Sequence, residues 1–227
     1  MKVSDFEEKT GYRFINAELL ETALTHSSFT REHNMDRSRC NERLEFLGDA
    51  FFDAIVGEEL FRRLENSEEG ELTKLRAQVV CARSLADEGR RLGVGEIVRL
   101  GKGERQTGGA ERQSVIADAM EAVIGAVFID GGYEAARNVV LRLFGRTIDA
   151  AVEGRLEADY KTAFQELVQK NGSVDIRYNI NGEEGPDHDK TFYASVSVGG
   201  EVRGRGSGKS KKEAEQDAAR QALRGEK

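Results

Sequence analysis

The sequence predicts two units in one chain: an all-α domain over residues 1–150 and a small α+β domain of order α-β-β-β-α over 159–227, joined by a linker at 151–158. Three observations lead there. Apolar residues in the first part recur at the three-and-four spacing of amphipathic helices, with almost no alternating runs. Beyond residue 158 the period switches to two in three consecutive segments, which helical segments flank. Between the two parts, 151–158 mixes small and charged residues with neither period.

Phe14, Leu19, Leu20, Ala23 and Leu24 keep helical spacing, as do the apolar positions of 44–64, 72–81, 84–92 and 115–129. The glycine-rich stretches 101–109 and 131–132 read as connections. In the second part Asp159–Lys170 is helical and Ile176–Ile180, Thr191–Val198 and Glu201–Arg205 alternate like strands. Ser210–Arg224 returns to helix, and Ser210-Lys211-Lys212-Glu213 has the form of a capping box.

Composition narrows the function classes. With 38% hydrophobic residues and 25 glycines among 227, the chain can build a core. Its longest apolar stretch, Val115–Ile129, contains Asp118 and Glu121. As a helix it would reach only ~22 Å, short of the ~30 Å hydrocarbon layer, so no membrane association is expected. No charged-then-apolar leader opens the chain, and the expected location is the cytoplasm. Two cysteines, Cys40 and Cys81, build neither a disulfide framework nor a zinc site by themselves. The net charge of −7 lies wholly in residues 1–153. Arg203–Lys212 holds five basic residues and no acid, so the acidic total does not exclude nucleic acid as a partner.

Two constellations carry chemistry. On a helix over 41–55, the apolar and small residues leave one arc, from about 100° to 180° relative to Leu44, that holds Glu42, Glu45, Asp49 and Asp53. A solvated face would mix lysine with glutamate to gain i,i+4 pairs; this one repeats like charges. In Val115–Ile129, Asp118 and Glu121 share a face with only apolar or small neighbours. Each cluster alone reads as a solvated face. Two of them on otherwise apolar helices point to a shared hard cation, Mg²⁺ or Mn²⁺, because oxygen ligands suit those ions and neither cluster offers His or Cys. Spacing alone does not choose among the four acids of the first helix.

These residues resemble a known family. Asn41–Asp49, NERLEFLGD, is similar to the signature of bacterial ribonuclease III, and Ala117–Gly132, ADAMEAVIGAVFIDGG, to its second acidic motif. DYKTAFQELVQ, GPDH and GKSKKEAEQDAA resemble the double-stranded-RNA-binding domain that follows the nuclease domain in that family. The likeness covers nearly the whole chain in the family's order.

The resemblance implies a Mg²⁺-dependent endonuclease, with Mn²⁺ as a substitute, that cuts double-stranded RNA to 5′-phosphate and 3′-hydroxyl ends in rRNA and mRNA processing. It implies a homodimer whose two sites each cut one strand, leaving short 3′ overhangs. Carried over by motif position, Glu45, Asp49, Asp118 and Glu121 form the metal-binding cluster, with Asp49 and Glu121 most directly needed for hydrolysis. Glu42 would support the site, and Asp53 falls outside the motif. Thr162, Gln165 and Glu166 would meet one minor groove and the loop Gly185–His188, with His188, the next. Lys209, Lys211 and Lys212 would hold phosphate at the start of the last helix, where the dipole favours anions. Thr25–Ser28 varies from the family pattern, and Phe164 stands where a smaller aliphatic residue is usual, which is expected to alter packing under the RNA-binding helix.

Competing readings fail on particular residues. Gly208-Lys209-Ser210 ends like a nucleotide-binding loop, but that motif needs glycine at 203, where Arg203 stands. His26, His33 and His188 are scattered and suggest no nucleophile system. A non-catalytic RNA-binding protein would not need the complete acid quartet. Phe46, Phe51 and Phe52 point different ways from one helix, and Gly48 between them permits close packing, so this helix is expected to lie against its symmetry mate.

Overall fold

The computed structural model describes residues 3–154, 160–169, 175–186 and 190–225, and the chain divides into two compact units, Met1–Leu156 and Glu157–Lys227. The first unit is helical: α1 (Val3–Thr10), α2 (Ala17–Ala23), α3 (Ser27–Glu32), α4 (Glu42–Arg63), α5 (Glu69–Val79), α6 (Ala82–Leu92), α7 (Val94–Ile97), α8 (Lys102–Gln106) and α9 (Gln113–Val152). Local chemistry sets several boundaries. The Asn16 side chain accepts the Glu18 N–H at 3.0 Å to open α2, and α6 stops at Gly93, whose φ of 82° is costly for any residue with a Cβ.

α4 and α9 form the centre. Phe52, Ile55 and Leu60 of α4 are buried with Ile116, Met120, Ile124 and Phe144 of α9 in one continuous core. Phe51 stacks on Phe128 with ring centroids 3.6 Å apart. Where the helices cross, Gly48 faces Glu121 and Gly125 faces Leu44; a methyl built on either glycine would collide with the opposing main-chain carbonyl. The two backbones therefore touch. The close packing expected of Gly48 is made with α9 of the same chain rather than with a symmetry mate. α9 breaks at Gly132, with φ 77° and ψ −174°. Just before the break, Asp130 accepts N–H bonds from Ile15 at 2.7 Å and Asn16 at 2.9 Å and an O–H bond from Tyr12 at 2.9 Å. These bonds fasten the segment ahead of α2 to the middle of α9.

Residues 101–109, expected as a connection, instead hold α8 and lead into a single 3-10 turn at Gly109–Glu111. Long-range side chains explain the order: Arg112 pairs with Glu104 at 2.5 Å, Arg105 donates to the Val98 carbonyl at 2.8 Å, and the Gly101 N–H donates to Ser28 Oγ at 3.0 Å. Among the described residues, no helix is long and apolar enough to cross a membrane.

The second unit runs α10 (Tyr160–Gln169), β1 (Ile176–Glu184), β2 (Thr191–Val198), β3 (Glu201–Gly208) and α11 (Lys211–Gly225). The strands form an antiparallel sheet in the order β1-β2-β3. Gly199 and Gly200, both at positive φ, make the tight β2–β3 turn. Phe164, Ala194, Val196, Ala214, Ala218, Ala219 and Ala222 make the core. β3 turns Gly204, Gly206 and Gly208 against α11, where a methyl on any of them would strike the helix backbone or Cβ atoms. Phe164 is fully buried, so it is a central packing residue of this unit.

Candidate metal centre and nucleic-acid interface

The start of α4 is tied down from outside. The Asn41 N–H donates to the Thr25 carbonyl at 2.8 Å, and the Asn41 carbonyl accepts the Glu45 N–H at 2.8 Å. Three residues after Glu45 comes Gly48, which brings α4 onto α9 at Glu121 itself. Asp118 stands one turn before Glu121 on α9. Backbone contact thus delivers Glu45, Asp118 and Glu121 to one place, where one carboxylate oxygen from each lies within 4.8 Å of the others. A hard cation binds oxygens at about 2.0–2.6 Å, so a span of 4.8 Å is about twice one metal–oxygen bond.

The electrostatics agree with that fit. All three acids are half-buried, and none has an ion-pair partner among the described residues. Burial, then Asp118, Glu42 and Asp49, pushes the Glu45 carboxyl up to about 7. Burial, then Asp49, Asp118, Glu45 and Asp53, pushes Glu121 up to about 8. Asp118 is raised by burial against a lowering pull from His26 and from a backbone hydrogen bond. Asp49, exposed beside the cluster, is also raised, by burial first and Asp53 second. Burial and like charge thus both disfavour the ionised forms of these clustered carboxyls. The all-oxygen donor set suits Mg²⁺ or Mn²⁺ and does not suit zinc.

The expected residues distribute as follows. Glu45, Asp118 and Glu121 come together; Asp49 adjoins them through its field on Glu45 and Glu121. Glu42 is exposed, lies 3.4 Å from Arg37 and adds to the field on Glu45 without joining the three. Asp53, set aside on sequence grounds, belongs to the field around Asp49 and Glu121. His26, set aside on spacing with the other histidines, lowers the Asp118 carboxyl against the rise from burial, an effect that nothing in its sequence position signals.

In the second unit, Lys209, Lys211 and Lys212 are exposed around the start of α11. The Ser210 Oγ accepts the Glu213 N–H at 3.2 Å, as a cap should. The Glu213 carboxylate reaches past Ser210 and accepts the Lys209 N–H at 2.8 Å, so the reciprocal half of the box closes one residue early. Lys209 Nζ lies 3.4 Å from Thr191 Oγ1. Gln165 is exposed on α10. The side chains of Thr162 and Glu166, and His188 altogether, lie outside the described residues.

Comparison with known proteins places this geometry in context. Residues 16–147 match the family described as ribonuclease-III-like, and residues 160–225 match the double-stranded RNA binding motif. The chain is 52% identical over 205 residues to the ribonuclease 3 of Heliobacterium modesticaldum, covering 90% of this chain and 87% of that protein. It is 47% identical over 222 residues to the ribonuclease 3 of Pelotomaculum thermopropionicum, covering 98% and 92% respectively. Among solved structures, it is similar to the nuclease domain of ribonuclease III from Campylobacter jejuni, described for structural flexibility in a region involved in dimer formation. That match has a TM-score of 0.60 and 40% identity, over 64% of this chain and 97% of that one.

Proposed function

Since the chain belongs to the ribonuclease III family, we propose that it is an endoribonuclease that hydrolyses double-stranded RNA with a divalent cation held by Glu45, Asp118 and Glu121. The observation that supports this most is the meeting of three unpaired carboxylates from α4 and α9 in a chain that also carries a double-stranded RNA binding motif. Mg²⁺ is the proposed ion, with Mn²⁺ able to replace it.

A divalent cation held there by Glu45, Asp118 and Glu121 would supply Lewis-acid polarisation of a phosphoryl oxygen and a more acidic water. The chain's own residues do the rest. Glu45, Asp118 and Glu121 fix the position of that charge, and their repulsion of the RNA backbone is cancelled when they are loaded. Asp49, exposed and adjoining, holds the attacking water by its hydrogens. Attack at phosphorus with the 3′ oxygen leaving gives 5′-phosphate and 3′-hydroxyl ends. Lys209, Lys211 and Lys212, with Gln165, hold a duplex by phosphates and minor-groove hydroxyls, which gives shape recognition with weak sequence preference. Precursors of rRNA and mRNA in the cytoplasm are the proposed substrates. The proposal includes a homodimer, supported by the dimer-forming region for which the Campylobacter jejuni nuclease domain is described and by Phe46, 78% exposed on α4.

The test uses a long RNA duplex with and without Mg²⁺. Glu121→Gln keeps shape and removes charge; we expect cleavage to fall by on the order of 10²-fold or more, with duplex binding in a gel-shift assay unchanged. Full cleavage by that variant overturns the assignment.

A further inference from the structure

A second concave site lies away from the acid cluster. It sits past the break at Gly132, between the segment that follows α1 and the second half of α9, and holds about 360 Å³. Ala135, Asn138, Val139 and Arg142 line it from α9, where their three-and-four spacing puts them on one face. Gly11 and Tyr12 line it from the other segment. Clefts for small molecules run from about 300 to 1,000 Å³, so this one takes a single small ligand.

The cleft has one formal charge, on Arg142, and it is held in place. Gly11, at φ 73°, has no Cβ, and the Arg142 side chain lies along its backbone, 2.9–3.0 Å from where a methyl would stand. Arg142 Nε donates to the Lys9 carbonyl at 3.4 Å. Its Nη1 and Nη2 hydrogens bond no other residue, and no carboxylate pairs with it, among the described residues. A fixed fork of donors without a counter-ion matches the paired oxygens of an oxyanion.

The remaining lining calls for more than a bare anion. Asn138 stands one turn before Arg142, about 6 Å along the axis, and its amide offers both donors and an acceptor. The Tyr12 hydroxyl donates to Asp130 at 2.9 Å, and its ring meets Phe14 edge-on with centroids 5.1 Å apart, so the ring is rigid. With Ala135 and Val139 it forms an apolar wall suited to a flat, aromatic body. We propose that this cleft binds a nucleoside 5′-monophosphate, with the phosphate on Arg142, a hydroxyl or base edge on Asn138 and the base against Tyr12 and Val139. A sugar phosphate would leave the apolar wall unused, and the volume admits one nucleotide rather than a strand.

The test titrates adenosine 5′-monophosphate into the full chain by calorimetry. EDTA is present, so that no cation at the acid cluster holds phosphate. We expect the parent to bind and Arg142→Gln to bind about 10–100-fold more weakly, the loss that goes with hydrogen bonds to a charged group. Asn138→Asp keeps shape but sets a carboxylate four residues from the guanidinium, where it pairs with Arg142 and repels phosphate. We expect the same loss of binding there, with helical circular dichroism unchanged. Adenosine and inorganic phosphate, titrated separately, should each bind more weakly than the whole nucleotide. No binding by the parent overturns the proposal, and so does equal binding by the parent and both variants, which puts the nucleotide elsewhere. Inorganic phosphate that binds as tightly as the nucleotide overturns the assignment of the ligand class. Duplex RNA cleavage by Arg142→Gln should match the parent; a loss of cleavage makes Arg142 a contact for the RNA duplex and overturns the proposal as well.

Discussion

In the metal-free protein, Glu121 keeps its proton into neutral pH because burial and four surrounding carboxylates oppose its charge. A carboxyl whose pKa is about 8 when folded, against about 4.3 in a free chain, binds more protons in the folded state across that whole interval. Glu45 does the same up to about 7. The stability they contribute is therefore lost as pH rises through the interval, the reverse of the usual ion-paired carboxylate. We expect the melting temperature in EDTA to fall as pH is raised from about 5 to 8, with much of the fall removed by saturating Mg²⁺, because the cation binds the deprotonated form. Glu121→Gln should flatten the EDTA profile in scanning calorimetry; an unchanged profile removes Glu121 from this account. The sequence shows the acids and their shared stripe, since like charges at i,i+4 on an otherwise apolar helix stand out. It does not show which acid faces Glu121, because that depends on where a second helix crosses. Nor does it show the pull of His26 on Asp118, because the two come into each other's field only when the chain folds.

At the scale of elements, the crossing of α4 and α9 decides the site. Alanine at Gly48 would gain about 1 kcal/mol of helix propensity, but its methyl meets the Glu121 carbonyl, which no rotamer change can move aside. Overpacking of this kind costs about 1–3 kcal/mol and occasionally more, so the collision wins. Gly145 on the same α9 is the contrast, with nothing near its added methyl. We expect Gly48→Ala to melt several degrees lower and Gly145→Ala to melt higher. Equal shifts in thermal denaturation would remove the crossing as the cause. The helices themselves are legible from apolar spacing, and so are the strands, although β1 and β3 run further than their alternation because pairing with β2 carries them on. The ordered stretch at 101–109 is not legible. Its glycines and charges signal a connection, and the bonds that order it come from Ser28, Val98 and Arg112.

At the scale of the whole molecule, the first unit exposes large apolar side chains that its own core does not use: Phe46 at 78%, Phe61 at 69% and Ile129 at 55%. Burying a phenylalanine yields about 1.5–3 kcal/mol, and in a two-fold dimer each such residue is counted twice. We expect the chain to sediment as a dimer at micromolar concentration and Phe46→Asp to sediment as a monomer with unchanged helical circular dichroism. A monomeric parent ends the dimer proposal. The charge of the chain follows the same division of labour, with the acidic excess in the unit that holds the cation cluster and a balanced second unit carrying the basic turn. The reciprocal contact of Gly48 and Gly125 has a consequence for how such a protein can vary. Because main chain rests on main chain there, the gap between the acid-bearing helices is independent of the size of the hydrophobic residues around it. The greasy interior can accumulate substitutions over generations, gaining or losing methylenes, while the reaction centre keeps its dimensions.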